Sequence, residues 1–116
     1  MFKVIEDLTF RRAVPVEAPD GRVQELATVF RAVPIATLRA YDRQEIETDE
    51  LLELIVVDFE DLADASGEPV SGPEWRRKLL DLPWVQTALY RAYLPAVSGA
   101  RAGNSAPSAG TGQPAG

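Results

Sequence analysis

Acidic side chains are the residues of this chain that come closest to forming a reactive cluster. Eleven Asp and Glu residues, and no Lys or Arg, lie between Gln44 and Trp75. Paired carboxylates can hydrolyse glycosides, and clustered carboxylates can bind calcium. A calcium loop starting at Asp58 would place Ala63 where the sharp turn requires glycine, and nothing selects one pair of acids for glycoside hydrolysis. The pattern therefore indicates either a solvated acidic face or a docking surface for a basic partner or a basic neighbour in an oligomer.

The residue types that the chain does not contain exclude most other site chemistry. The sequence has no histidine and no cysteine, which removes the usual zinc ligands, thiolate nucleophiles and imidazole acid–base groups. Its glycines match neither a phosphate-binding loop nor a dinucleotide fingerprint. The formal net charge of -6 argues against nucleic acid as a partner, because that affinity comes from clustered cations. We expect a non-enzymatic protein with no catalytic residues, no cofactor and no metal site.

Protein binding is the chemistry that the remaining side chains favour. One face of the last helical segment, opposite much of its apolar stripe, carries Thr87, Tyr90, Arg91 and Leu94. Tyr and Arg often contribute much of the binding energy at interfaces, so we predict partner contact on this face. The alternative is a plain amphipathic surface.

Two further groups of residues have competing interpretations. The only basic run, residues 76–78, is expected to be a solvated rim, since three consecutive helical residues point in different directions. Its alternative role is contact with the acidic stretch. Trp75 and Trp84 are large apolar side chains, and we expect them to pack at the hinge between the last two helices.

A β-hairpin is predicted at the start of the chain. Apolar residues recur with period two at Leu8, Phe10, Val14 and Val16, which favours a strand that runs to Ala18. Pro19-Asp20-Gly21 has the composition of a turn, and Val23 to Val33 is rich in β-branched and aromatic residues. The hairpin is therefore placed at Leu8 to Val33. Two strands alone are marginal in water, so the sheet must pack on helices or gain a strand from Met1 to Ile5 or from another subunit.

Two helices are predicted in the middle of the chain. Pro34 is placed where a helix begins, and Leu38 with Tyr41 forms a short apolar face. Thr48 is expected to cap the next helix, whose residues 51–57 are apolar almost all round. The β-branched run Ile55-Val56-Val57 leaves a strand as the rival assignment for its end.

Two further helices are predicted after a loop at Ala65 to Pro73. Ser71-Gly72-Pro73-Glu74 resembles a capping box, so a helix should start at about Pro73 and run to Leu82. Pro83 begins the last helix, and Pro95 predicts a kink or an end between Leu94 and Ser98. Its core stripe is expected to contain Val85, Ala88, Leu89, Ala92, Tyr93 and Ala96.

The fold class that follows is α+β. We predict one domain over residues 1–98, in which an N-terminal β-hairpin, or small antiparallel sheet, precedes a bundle of three to four helices. Residues 99–116 have no bulky apolar side chain, so we predict a flexible, disordered low-complexity tail. No segment has the composition of a membrane-spanning helix or a secretory signal, which predicts a cytoplasmic protein without a membrane partner.

The order of these features resembles the tail assembly chaperones of long-tailed bacteriophages. The resemblance covers about nine tenths of the chain and rests on the opening hairpin and on residues 27–34, 51–57, 64–70, 79–85, 88–93 and 98–104. None of these pieces is a catalytic signature, so their order and the total length carry the resemblance. The chain departs from the family in having Phe59 near a position that is commonly Trp, and in its longer tail after Asn104.

The resemblance implies a function in the host cytoplasm during tail assembly. Such a protein binds the tape-measure protein and keeps it soluble while tail tube protein polymerises around it, and it is absent from the mature virion. The resemblance also implies a homo-oligomer, and many members of the family are made in a second, frameshifted and extended form. The alternative function is that of a small structural tail or neck protein, a completion or connector component. A generic protein-binding module remains a further alternative.

Overall fold

Three antiparallel strands form the central sheet of the computed structural model, which describes residues 1–98. They are β1 (Thr9–Glu17), β2 (Val23–Arg31) and β3 (Val56–Glu60), in the order β1-β2-β3. Two helices lie between β2 and β3 and two follow the strands: α1 (Ile35–Asp42), α2 (Thr48–Ile55), α3 (Pro73–Leu80) and α4 (Pro83–Val97). A second pair of short strands is β4 (Leu62–Ala63) and β5 (Pro69–Val70). The α+β class is confirmed, and the predicted tail at 99–116 lies outside the described residues.

The predicted hairpin is confirmed and consists of β1 and β2. Its register places Phe10 opposite Phe30. The connecting turn is held by Asp20, whose carboxylate accepts a hydrogen bond of 3.0 Å from the Arg22 N–H, and Gly21 supplies a positive φ of 89°. An acidic side chain and a glycine at these positions are typical of tight turns, so local chemistry is sufficient to place this element.

The third strand corrects the prediction of a helix through residues 51–57. The helix α2 ends at Ile55, and β3 begins at the next residue, so Val56 and Val57 belong to a strand. Their β-branched side chains favour the pleated surface, and β3 pairs with residues 27–30 of β2. The register shifts between Val29 and Phe30, which leaves Val57 as the extra residue of a bulge.

Two predicted helix caps are also corrected. Thr48 is the first residue of α2 rather than its cap, and the position before it is Glu47. The Thr48 hydroxyl instead shares a 3.0 Å hydrogen bond with the Tyr41 hydroxyl, which joins α1 to α2. The residue before α3 is Gly72, with a φ of 107° and no side-chain cap, so Ser71 does not cap this helix. Pro73 begins α3 as predicted, but the helix ends at Leu80 and not at Leu82.

The segment predicted as a loop at 65–73 is partly ordered by strand pairing. Pro69 and Val70 pair with Ala63 and Leu62, so the irregular residues of this segment are the turn before Pro69 and residues 71–72. Asp64 organises that turn, because its Oδ1 accepts hydrogen bonds of 2.9 Å and 3.0 Å from the N–H groups of Ser66 and Glu68. The sequence pattern located the turn but not the two short strands beside it.

The core lies between the sheet and α2 and α4. The predicted stripe of α4 is buried at its centre, where Val85, Leu89 and Tyr93 are at most 3% exposed. The Tyr93 ring packs edge-on against Phe30, with ring centroids 5.3 Å apart. The helix extends through Pro95 and ends at Val97, inside the predicted interval. Within residues 1–98, no helix is long and apolar enough to cross a membrane.

A buried hydroxyl group fixes α4 to the end of β2. The Tyr93 hydroxyl donates a 2.7 Å hydrogen bond to the Arg31 carbonyl and accepts one of 3.0 Å from the Val33 N–H. These bonds satisfy two backbone groups where the sheet ends and the chain turns toward α1. Burial raises the pKa of Tyr93 above its usual value, although the bond from Val33 acts in the opposite direction.

Candidate protein-binding surfaces

Two depressions flank the exposed side of α4, and the predicted partner-binding residues are divided between them. Thr87 and Arg91 are exposed and lie on the side of β1. Tyr90 and Leu94 are partly buried on the side of α1. The Tyr90 ring packs on Tyr41, with centroids 5.2 Å apart. The four residues therefore do not form one continuous binding face, because α1 covers part of it.

The first depression, which we call the α1–α4 hollow, lies between α1 and the end of α4. It is a shallow and largely apolar space of about 590 Å³, and it is lined by Val33, Ile35, Leu38, Leu94, Pro95, Val97 and Ser98. Ile35 is 61% exposed on its rim. Sequence reasoning missed Ile35, although an apolar residue directly after the helix-opening Pro34 was a usable signal. The apolar hollow, with Ile35 at its rim, is a candidate protein-binding surface.

The second depression, the β1–α4 groove, lies between the outer edge of the sheet and α4. Its volume is about 1310 Å³, and small alanine and proline side chains make up much of its wall: Ala13, Pro15, Ala18, Pro19, Ala88, Ala92, Pro95 and Ala96. Trp84, the second residue of α4, lines this groove and packs against the core. The Lys78 ammonium stands 4.3 Å from the centre of the Trp75 ring.

The sheet edge along this groove has backbone groups without a strand partner. Within residues 1–98, no strand pairs with the outer side of β1. The Ala32 N–H donates to the Leu8 carbonyl, and the Ala18 N–H donates to the Arg22 carbonyl. Backbone groups alternate in direction along a strand, so the even-numbered residues of β1 face β2 and the odd-numbered residues face outward.

Two features limit how many hydrogen bonds this outer edge can make. Pro15 is one of the outward-facing residues and has no N–H group. The Arg12 guanidinium donates a 2.9 Å hydrogen bond to the outward carbonyl of Arg11. Ala13 lies between Arg11 and Pro15, and both its N–H and its carbonyl are available for pairing. The edge therefore suits a short added strand and disfavours a long one.

No protein-family model, curated protein or solved structure matches this chain. The fold and the surfaces described above are therefore interpreted from their own chemistry.

Acidic residues 45–74 do not form a single unpaired face. Arg76 reaches back across this stretch, and its guanidinium donates hydrogen bonds of 3.0 Å to the Glu53 carboxylate and 2.7 Å to the Val56 carbonyl. The expectation of a solvated rim is thus wrong for Arg76, whose side chain is only 19% exposed. Glu60 pairs with Arg11 of β1 at 3.0 Å. Part of the acidic charge is neutralised within the domain.

The remaining acidic groups provide no metal-binding arrangement in the described part of the chain. Residues 1–98 contain no group of three or more potential ligands close enough to hold a metal ion. Asp64 is occupied by its own turn: the hydrogen bond from the Ser66 hydroxyl, followed by that from the Glu68 N–H, lowers its pKa below the usual value. Its oxygens act in local structure, and protein binding remains the chemistry that the exposed surface favours.

The N-terminal segment Met1–Ile5, which we call the arm, exposes more apolar surface than any other part of residues 1–98. It forms no strand within this chain, so it does not extend the sheet of its own copy. Phe2 is 89% exposed, Val4 is 78% exposed and Ile5 is 67% exposed. A turn at residues 6–7 connects it to β1. Apolar side chains left in water in one continuous segment indicate a surface that is covered by another molecule.

Proposed function

We propose that this protein is a non-enzymatic tail assembly chaperone of a long-tailed bacteriophage or prophage. It binds the tape-measure protein in the host cytoplasm, keeps that protein soluble while tail tube protein assembles around it, and is absent from the mature virion. The ordered sequence resemblance supports this proposal. The single structural observation that carries it is the α1–α4 hollow, an exposed apolar surface that no residue of the described domain fills.

The shape and chemistry of the hollow suit a helical client. Tape-measure proteins are long and helical, and an amphipathic helix binds by placing its apolar face in a groove between elements. Ile35 and Leu94 lie on opposite walls of the hollow, one from α1 and one from α4.

Co-expression with the tape-measure protein tests the proposal. The wild-type chain should keep the tape-measure protein in the soluble fraction, and Ile35→Asp should lose this effect because it puts a charge into an apolar interface. The matched control is Leu54→Asp, which changes another exposed aliphatic residue, 46% exposed on α2. Equal loss of solubility with both variants, or no loss with either, would contradict the assignment of the hollow as the client site.

A second pair of substitutions examines the residues predicted from the sequence. Tyr90→Ala combined with Leu94→Ala should weaken tape-measure binding, but both side chains also pack against the core. Circular dichroism must therefore show that the double variant is folded before its binding is compared. Ile35 gives the cleaner test, because most of its side chain is already in water.

A structural tail or neck protein is the second candidate function, and the exposed arm favours it. Proteins that are built permanently into an assembly often place an extended terminal segment on a neighbouring subunit. Mass spectrometry of purified virions distinguishes the two functions. A chaperone should be missing from the particles, whereas a completion or connector protein should be present in a fixed number of copies.

A further inference from the structure

We infer that the arm of one copy of this chain lies in the β1–α4 groove of a second copy, where it adds a short antiparallel strand to β1. The groove has an open sheet edge on one side and small side chains on the other. The arm has no secondary structure within its own chain, and its apolar side chains are exposed. The two surfaces are complementary, and this inference does not depend on the chaperone function proposed above.

The arm cannot fill the groove of its own chain. The turn at residues 6–7, with Asp7 at a φ of 54°, is held by a hydrogen bond of 2.6 Å between Arg31 and the Asp7 carboxylate. A chain that folds back at this turn would pair Ile5 with Leu8 and would bring Met1 only as far as Arg12. The groove extends from Arg12 to the turn after β1, so its occupant must come from another molecule.

One antiparallel register satisfies both the side-chain pattern and the groove. It places Met1 of the arm opposite Glu17 and Ile5 opposite Ala13. Residues that are directly opposite share one face of a sheet, so Phe2 and Val4 lie on the face of Val16 and Val14. That face is the core side of β1, because Val14 is fully buried there. It is also the side on which α4 packs, so Phe2 and Val4 of the arm point toward the alanine wall of the groove.

The charges select the antiparallel direction. In this register Glu6 lies beside Arg12, with which it can form an ion pair. A parallel strand along the same residues would instead bring Glu6 beside Glu17 and place like charges together. Lys3 lies opposite Pro15 with its side chain toward solvent. Only one hydrogen bond is lost there, because Pro15 keeps its carbonyl as an acceptor.

The same contact can form twice between two copies. Each copy offers one arm and one groove, and exchange of both arms produces a closed interface with two-fold symmetry. The expected species is a dimer with twice the chain mass of 12.7 kDa. Further exchange of arms is not expected, because both arms and the outer edges of both β1 strands are then occupied.

Light scattering on the full chain, combined with size-exclusion chromatography, tests this inference. The wild type should have the mass of a dimer, and the combined substitution of Phe2→Asp and Val4→Asp should have the mass of a monomer. Both side chains are exposed in the single copy, so their loss should not unfold the domain, and circular dichroism verifies this. Leu54→Asp is the matched control and should remain dimeric.

Charge reversal tests the register. Glu6→Arg alone and Arg12→Glu alone should each weaken dimerisation by about tenfold, and the two together should restore it. A monomeric wild type, a dimer that survives the arm substitutions, or a double reversal that does not recover would overturn the inference. The client assay separates it from the proposed function: the arm variant should still bind the tape-measure protein, while Ile35→Asp should remain dimeric.

Discussion

Removal of the Tyr93 hydroxyl should destabilise the domain without changing its shape. In Tyr93→Phe the ring keeps its place between Phe10 and Phe30, from which its centroid is separated by 6.2 Å and 5.3 Å. The Arg31 carbonyl and the Val33 N–H lose the one side-chain partner that they have within residues 1–98. A buried polar group left without a partner costs about 1–3 kcal/mol, so the combined loss is expected to be about 2–3 kcal/mol.

Urea and thermal denaturation followed by circular dichroism measure this loss. For a domain of this size, such a change lowers the thermal midpoint by about 10–20 °C. The matched control is Tyr90→Phe in the same helix, since Tyr90 makes its contact through its ring on Tyr41. The control should differ from wild type by less than about 0.5 kcal/mol. Equal stability of the two variants would refute the claim that the hydroxyl fixes α4 to the sheet.

The same residue predicts how stability depends on alkaline pH. The pKa of Tyr93 is raised by burial, so the folded protein holds this proton more tightly than the unfolded chain does. The contribution of the Tyr93 hydroxyl to the free energy of unfolding is therefore fully present below the unfolded pKa of about 10. It is lost as pH rises through the folded pKa. Wild type should lose stability in that range more steeply than Tyr93→Phe, and denaturation midpoints measured across it provide the comparison.

Three further changes have defined outcomes. Arg76→Ala should cost about 1–2 kcal/mol in urea denaturation, because it removes bonds to the end of α2, whereas Arg77→Ala, an exposed neighbour, should be almost neutral. Asp64→Ala should speed hydrogen exchange at the Glu68 amide. The lowered pKa of Asp64 means that its carboxylate contributes stability that the wild type loses as pH falls through that pKa. The variant lacks this contribution, so its free energy of unfolding should fall less over the same acidic range, which acid titration of both proteins measures. Deletion of residues 105–116 should leave the thermal midpoint unchanged, because that segment has no bulky apolar side chain to bury.

The elements that local chemistry determines could be predicted from the sequence. The alternation of β1, the turn at Asp20-Gly21 and the prolines that open α3 and α4 act over a few residues, and each was found near its predicted place. The same holds for Leu89 and Tyr93, whose spacing identifies the buried side of α4. Proline fixes its own φ and restricts the residue before it, and glycine adopts the positive φ that a tight turn requires, which is why these residues predict local structure well.

Features that depend on distant contacts could not be predicted in this way. Val56 and Val57 form a strand because β2 offers an edge that is some thirty residues earlier in the chain. The predicted binding face of α4 is divided because α1 packs on Tyr90. For Val56 and Val57 a strand was only the rival assignment, and for Arg76 the contact with the acidic stretch, here with Glu53, was only the alternative role. In each case tertiary packing decides between interpretations that the local sequence leaves open.

The position of Tyr93 near the end of the described domain also constrains the order in which the protein folds. The hairpin of β1 and β2 joins residues that are close in the chain, so it can form within microseconds. The aromatic side of that hairpin, with Phe10 and Phe30, is covered only when α4 docks some sixty residues later. Any state in which the hairpin has formed and α4 has not docked leaves these aromatic side chains exposed, and exposed apolar surface of this kind favours aggregation. Docking of α4 is therefore the step that protects the aromatic side of the hairpin.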